Sequence, residues 1–375
     1  MRILVCPDKF AGTMSASEAA SSIGTGWRNF APETLVTIIP ISDGGTGFLD
    51  AISTALGLKS EPMLVRGPAG QEVLSEFAFD RNTAYVEAAQ AIGIHLVKPT
   101  SENVISSSSY GVGQLIRYCI EKGFKKIIIG LGGTATSDGG AGALAALGVK
   151  AFDAKGNQTN ALEEGAGNLL EVSKIDLTAV EVLLDGVTIE VLTDVDNPLL
   201  GARGAAKTYS AQKGATDEQI EIIENRLEHF SQLLGKREDG KNPAIALGAG
   251  AAGGLGFALI RIGATRSAGI DRVINILGLK QAISNADLVI TGEGKFDWQS
   301  LDGKAITGVA RTALNLGKAT IVLAGQVEVG RRDWQTIGVA GAFSMAEFSN
   351  LEDAMTDPTG TLTRLSERVA RTWNR

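Results

Sequence analysis

The way the apolar runs of this chain stop constrains its fold more than any other feature. Residues 3–6, 35–39, 127–129, 189–193 and 288–290 are largely apolar, and each leads into glycine, proline or a charged side chain. Runs of this kind, without polar alternation, belong to strands buried on both faces, the habit of parallel sheets covered by helices. Helix signals follow them. Ser15 and Glu18 form a capping-box pair ahead of Ile23, Trp27 and Phe30 at helical spacing, and Phe48, Leu49, Ile52 and Leu56 mark a second helix. The chain therefore opens as βαβα, the start of a doubly wound sheet.

The same rhythm returns late, with runs at 288–290, 321–323 and 339–343 and a terminal helix carrying Leu362, Leu365, Val369 and Trp373. The middle differs: from residue 61 the segments are short, turn-punctuated and β-rich. A chain of 375 residues exceeds what one core usually serves. The expected fold is thus α/β with two domains. Residues 1–60 and 283–375 form a flavodoxin-like doubly wound parallel sheet, and residues 61–282 form an inserted mixed α/β domain.

Charge and composition narrow the partners. A formal net charge of −7 argues against nucleic acid and against an anionic membrane as the main partner. No apolar run approaches membrane-spanning length and no leader pattern opens the chain, so a cytoplasmic location is expected. Cys6 and Cys119 lie in apolar contexts without metal-ligand spacing, and His95 and His229 are far apart, which disfavours a zinc site or a thiol nucleophile.

In open α/β sheets ligands bind beyond the carboxyl ends of the strands, and there the polar residues collect. Residues 130–142 place Gly130, Gly132, Gly133, Gly139, Gly140 and Gly142 between a strand and a helix, interleaved with Thr134, Thr136, Ser137 and Asp138. Bare backbone N–H groups at a helix start suit a phosphate or carboxylate; a tight packing turn is the plainer alternative. Asp194 and Asp196, two apart, share a face if strand geometry persists and could hold Mg²⁺ with Asp43, Asp138 or Glu293, or could simply shape a turn before Pro198. Lys9 and Lys213 are the candidate cations, and Glu293 and Asp297 are either site carboxylates or turn and cap residues. Gly248, Gly250 and Gly253 satisfy a dinucleotide-type GxGxxG, but only residues 244–247 are available as the preceding strand. No Walker-type phosphate loop and no GxSxG elbow occur.

Taken in order, the segments at 7–10, 42–45, 109–113, 130–142, 194–201, 212–215, 248–254 and 291–294 make the chain resemble the bacterial class I glycerate kinase family over nearly its whole length. Ala11 stands where many members carry lysine, Ser137 where asparagine is usual, and Ser210 with Ala211 where Gly-Pro often occurs. The resemblance implies ATP- and Mg²⁺-dependent phosphorylation of D-glycerate, a small-molecule substrate, more often at the 2-hydroxyl, in a cleft between two α/β domains. It implies Asp194, Lys9 and Asp8 as catalytic residues, with Asp194 as base or metal ligand, and Asp196 and Glu293 as metal ligands. Asp43, Gly44, Gly45, Gly132, Gly133, Thr134, Asp138, Lys213, Gly250, Gly253 and Gly292 are the implied substrate and phosphate contacts. A homodimer is the expected assembly. The alternatives are phosphorylation at the 3-hydroxyl and an NAD(P)-dependent oxidoreductase built on the Gly248 to Gly253 turn.

Overall fold

The computed structural model describes residues 1–301 and 304–373. It divides into two compact units, one comprising Met1–Asp43, Gly47–Leu58 and Gly269–Arg375, the other Gly44–Thr46 and Lys59–Ala268. The first unit begins with β1 (Arg2–Val5), α1 (Ala16–Phe30), β2 (Leu35–Ile38) and α2 (Phe48–Leu56). The Ser15 and Glu18 capping box is present at the start of α1, and the helix buries Ala19, Ala20, Ile23 and Trp27.

The second unit follows as β3 (Lys59–Arg66), β4 (Glu72–Phe79), β5 (Thr83–Glu87), α3 (Tyr110–Glu121), β6 (Lys126–Gly130), α4 (Ala141–Ala146), β7 (Thr188–Leu192), α5 (Asp217–Leu234), α6 (Ala251–Arg261) and β8 (Thr265–Ser267). Its six-stranded sheet runs β8-β7-β6-β5-β4-β3. The strands β5 to β8 are mutually parallel, while β3 and β4 extend the sheet as an antiparallel edge. Ile127 and Ile129 of β6 are fully buried, in keeping with a strand covered on both faces.

The chain re-enters the first unit at α7 (Gly269–Ile276) and α8 (Leu279–Asn285), then adds β9 (Leu288–Thr291), α9 (Ala305–Asn315), β10 (Ala319–Ala324), β11 (Val339–Ser344) and α10 (Pro358–Trp373). The return comes earlier than residue 283, because α7 buries Ile270, Val273 and Ile274 and packs with α8 against α9. All neighbours in this five-stranded sheet are parallel, in the order β11-β10-β9-β1-β2. Counted within the unit, that is the 2-1-3-4-5 order of flavodoxin-like sheets, with its switch point between β1 and β9. Among the described residues no helix is long and apolar enough to cross a membrane.

Candidate functional site

Each unit carries its own cavity at the carboxyl ends of its parallel strands. In the first unit a cavity of about 490 Å³ lies at the switch point. Asp8 and Lys9 follow β1, Asp43 follows β2 and Glu293 follows β9, and all four line it with Asp297 and Lys304. The backbone draws the two central strand ends together: Cys6 N donates to Ile290 O at 2.8 Å, Asp8 N to Gly292 O at 2.8 Å, and Thr291 Oγ1 to Cys6 O at 2.9 Å. Gly292 has no room for a side chain, since a Cβ there would strike the Leu323 carbonyl. It packs β9 closely on β10 and is not among the residues lining the cavity.

The electrostatics of this cavity follow from crowding. Burial holds the Asp8 carboxyl well above the usual carboxylate range, and Asp43 and Glu293 add repulsion that Lys9 only partly offsets. Glu293 is pushed up to about 7, first by burial, with Asp297 and Asp43 adding to it against Lys304. Asp8 accepts the Lys9 N–H at 2.6 Å, whereas Oε1 of Glu293 has no hydrogen-bond partner among the described residues. Carboxylates gathered in this way favour a cation among them.

The second unit's cavity measures about 370 Å³. Gly132, Gly133 and Thr134 form one wall, Thr193 and Val195 beyond β7 another, and Tyr209, Gln212, Lys213 and Ala251 to Gly253 complete it. Lys213 is 5% exposed. Its Nζ donates to Thr136 O at 2.5 Å, and burial pulls its pKa down to about 8, with Asp138 opposing that fall. Gly133 is left-handed (φ 64°), and a Cβ on it would strike Thr46 Oγ1; Gly132 sits against the Gly45 backbone in the same way. Gly44, also left-handed, and Gly45 therefore shape the support of this loop, while Asp43 alone of their motif lines the first unit's cavity.

Three expected contacts sit differently from the sequence reading. Asp138 does not line the cavity: it is fully buried and accepts from Ser109 N at 2.8 Å, Ser109 Oγ at 2.8 Å, Gly140 N at 3.0 Å and Gly142 N at 3.2 Å. The carboxylate thus ties the start of α4 to the start of α3, so packing does call for it there. Asp196 is half exposed and paired with Arg266 at 2.7 Å. Gly250 donates its N–H to Asn197 O at 2.8 Å, behind the cavity wall. Asp194 lies between Thr193 and Val195, the two β7-end residues that line the cavity.

The GxGxxG turn is not a dinucleotide site of the Rossmann kind. Pro243–Ile245, where a strand would be needed, is a short 3₁₀ turn. The turn itself enters α6 through three successive left-handed residues, Ala252 (φ 52°), Gly253 (φ 65°) and Gly254 (φ 93°). Ala252 is the one non-glycine with positive φ among the described residues. Gly253 is held by a hydrogen bond from Gly139 N at 3.0 Å, and a Cβ on it would strike Thr136 O.

Several lining residues carried no usable sequence signal. Lys304 precedes α9 and reaches the first cavity from that helix start, and Leu351 and Met355 reach it from a short helix late in the chain. Tyr209 lines the second cavity from a five-residue helix and donates its hydroxyl to Asn197 Oδ1 at 2.8 Å. Only Gln212 could have been found, as the neighbour of Lys213 in a glycine-closed loop.

The comparisons with known proteins cover the same ground at full length. A family model described as the glycerate kinase family matches residues 3–374. A glycerate 2-kinase of Escherichia coli K12 is 36% identical, covering 99% of this chain and 98% of its own. A glycerate kinase of Halalkalibacterium halodurans is 37% identical over 100% of this chain and 99% of its own. A Salmonella typhimurium LT2 protein assigned as glycerate kinase 2 has a crystal structure that superposes with a TM-score of 0.85 at 35% identity, covering 100% of this chain and 98% of its own.

Proposed function

We propose that this chain, which belongs to the glycerate kinase family and is a kinase, transfers a phosphoryl group from ATP to the 2-hydroxyl of D-glycerate. The observation that carries the reading is the grouping of Asp8, Lys9, Asp43, Glu293 and Lys304 around one strand-end cavity. Phosphoryl transfer requires little covalent chemistry from a protein and much positioning and charge neutralisation, which such a set supplies.

The residues present fit Mg²⁺. Glu293 Oε1 is buried without a partner among the described residues, and Asp43 stands in the same lining. Among the described residues no preassembled group of three ligands exists. An ion there would be held by one or two carboxylates and completed by phosphate oxygens. When bound, Mg²⁺ would neutralise charge developing on the phosphate oxygens. Asp43 and Glu293 are its holders in this reading, while Asp196 pairs with Arg266.

Asp194 accepts the proton of the reacting hydroxyl, and Lys9 and Lys213 offset the negative charge of the two substrates. Asp8 holds the Lys9 backbone N–H and so fixes the turn that presents the lysine. The cytoplasm as compartment and a homodimer as assembly complete the reading. The test is a coupled assay for ADP release with D-glycerate, followed by identification of the phosphorylated product. ADP release dependent on D-glycerate with 2-phosphoglycerate as product is the expected result. No glycerate-dependent ADP release would refute the function, and 3-phosphoglycerate would refute the regiochemistry. Size-exclusion chromatography checks the dimer.

A further inference from the structure

Resting on that kinase reading, we infer that the two cavities divide the substrates: the first unit's cavity takes the metal-bound nucleotide, and the second unit's takes the three-carbon acid. The sign of the charge in each lining is the first reason. Four carboxylates, of Asp8, Asp43, Glu293 and Asp297, line the first cavity together with three lysines, Lys9, Lys295 and Lys304. A nucleotide polyphosphate with its divalent cation meets both signs, the cation on the carboxylates and the phosphates on the lysines, whereas a bare carboxylate can use only the lysines. Among the described residues no carboxylate lines the second cavity, and its one ammonium is Lys213.

The state of Lys213 is the second reason. A lysine 5% exposed has lost most of its water, and of its three donors only one has a partner among the described residues, Thr136 O. A small anion seated against it recovers the lost solvation, and the hydroxyls of Thr134, Thr193 and Tyr209 on the same lining match the hydroxyls of a glycerate.

Apolar surface supplies the third reason. Leu351 and Met355 stand on the lining of the first cavity while 52% and 58% exposed, with Phe10 and Met345 buried beside them. A thioether and a branched aliphatic chain pack well on the flat face of a nucleobase. A three-carbon acid has no such face to bury, and the larger cavity, about 490 Å³ against about 370 Å³, goes with the larger ligand.

Isothermal titration calorimetry on the full chain decides the matter, with MgADP and D-glycerate titrated separately. Lys213→Met should weaken D-glycerate by at least about tenfold, the loss of one charged hydrogen bond, and leave MgADP unchanged. The double variant Leu351→Ser, Met355→Ser should weaken MgADP by about tenfold through lost apolar contact and leave D-glycerate unchanged. Thr134→Val, nearly isosteric, carries the acid arm if circular dichroism shows that Lys213→Met does not fold. The reverse pattern, or no change in either ligand, overturns the division. If the wild-type chain binds MgADP but not D-glycerate, the proposed function falls instead, and the nucleotide arm still decides the first cavity on its own.

Discussion

The two cavities share one construction and differ in what burial does to their charges. Both lie where parallel strands end, and both are walled by turns whose glycines admit close backbone approach. In the first, burial and then the neighbouring carboxylates raise the pKa values of Asp8 and Glu293 above the usual carboxylate range. In the second, a single ammonium is buried until its proton is loosened, to a pKa of about 8. A strand end is therefore a neutral platform, and a few side chains decide whether it attracts cations or anions.

The largest expected effect places the acid–base chemistry in the second unit. Asp194→Asn should lower turnover by about 10²–10⁴-fold with the fold intact. ADP release and circular dichroism check it, and near wild-type turnover would leave that unit with binding alone.

Next comes Asp138→Asn, which tests whether the carboxylate beneath the second cavity is a packing group. An amide cannot accept all four bonds that Asp138 receives, so a stability loss of about 3 kcal/mol in urea unfolding is expected, with the KM for D-glycerate little changed in the folded fraction. A changed KM at unchanged stability would return Asp138 to the ligand contacts.

Opposite pH dependences sharpen the comparison further. The folded-state pKa of Glu293 is raised, from 4.5 to about 7, so the native state binds more protons between those values. Stability is fully present below 4.5 and is lost as pH rises through 7, by at most about 3 kcal/mol. For Lys213 the folded value is lowered, from 10.5 to about 8, so the unfolded state binds more protons there and stability rises with pH across that window. Thermal melts of the ligand-free chain should show both slopes, with Glu293→Gln flattening the acid one and Lys213→Met the alkaline one. A slope unaltered by its variant would locate the titration elsewhere.

The smallest effect is backbone strain. Ala252→Gly should stabilise the chain by about 1 kcal/mol, because an L side chain at φ 52° is strained. Destabilisation on chemical unfolding would mean that the methyl group's packing outweighs the strain.

Much of the fold was legible because its signals are local. The apolar run 288–290 ending at Gly292 and Glu293 predicts a buried strand and its polar end from adjacent residues, and the capping box at Ser15 and Glu18 marks a helix start within one turn. The lining of the candidate cavities was legible in the same local sense: Asp8, Lys9, Asp43 and Glu293 line the first and Thr134 and Lys213 the second. What the sequence does not show is a distant partner. Asp138 looked like a ligand contact because Ser109, which occupies one of its oxygens, lies 29 residues away. Asp196 looked like half of a metal pair because Arg266 lies 70 residues away.

By itself the sequence determined which segments become parallel strands, that polar and charged residues follow their ends, and, through the ordered motifs, the family. Only the tertiary structure decided how those ends are shared out. It separated Asp43 from Gly44 and Gly45, engaged Asp138 with Ser109, Gly140 and Gly142, paired Asp196 with Arg266, and brought Lys304, Leu351 and Met355 to the first cavity. The reason is physical. Strand and helix formation answer to periodicities within a few residues. Burial, charge crowding and the choice of hydrogen-bond partner are set by whatever the packed chain brings alongside, at any distance in sequence.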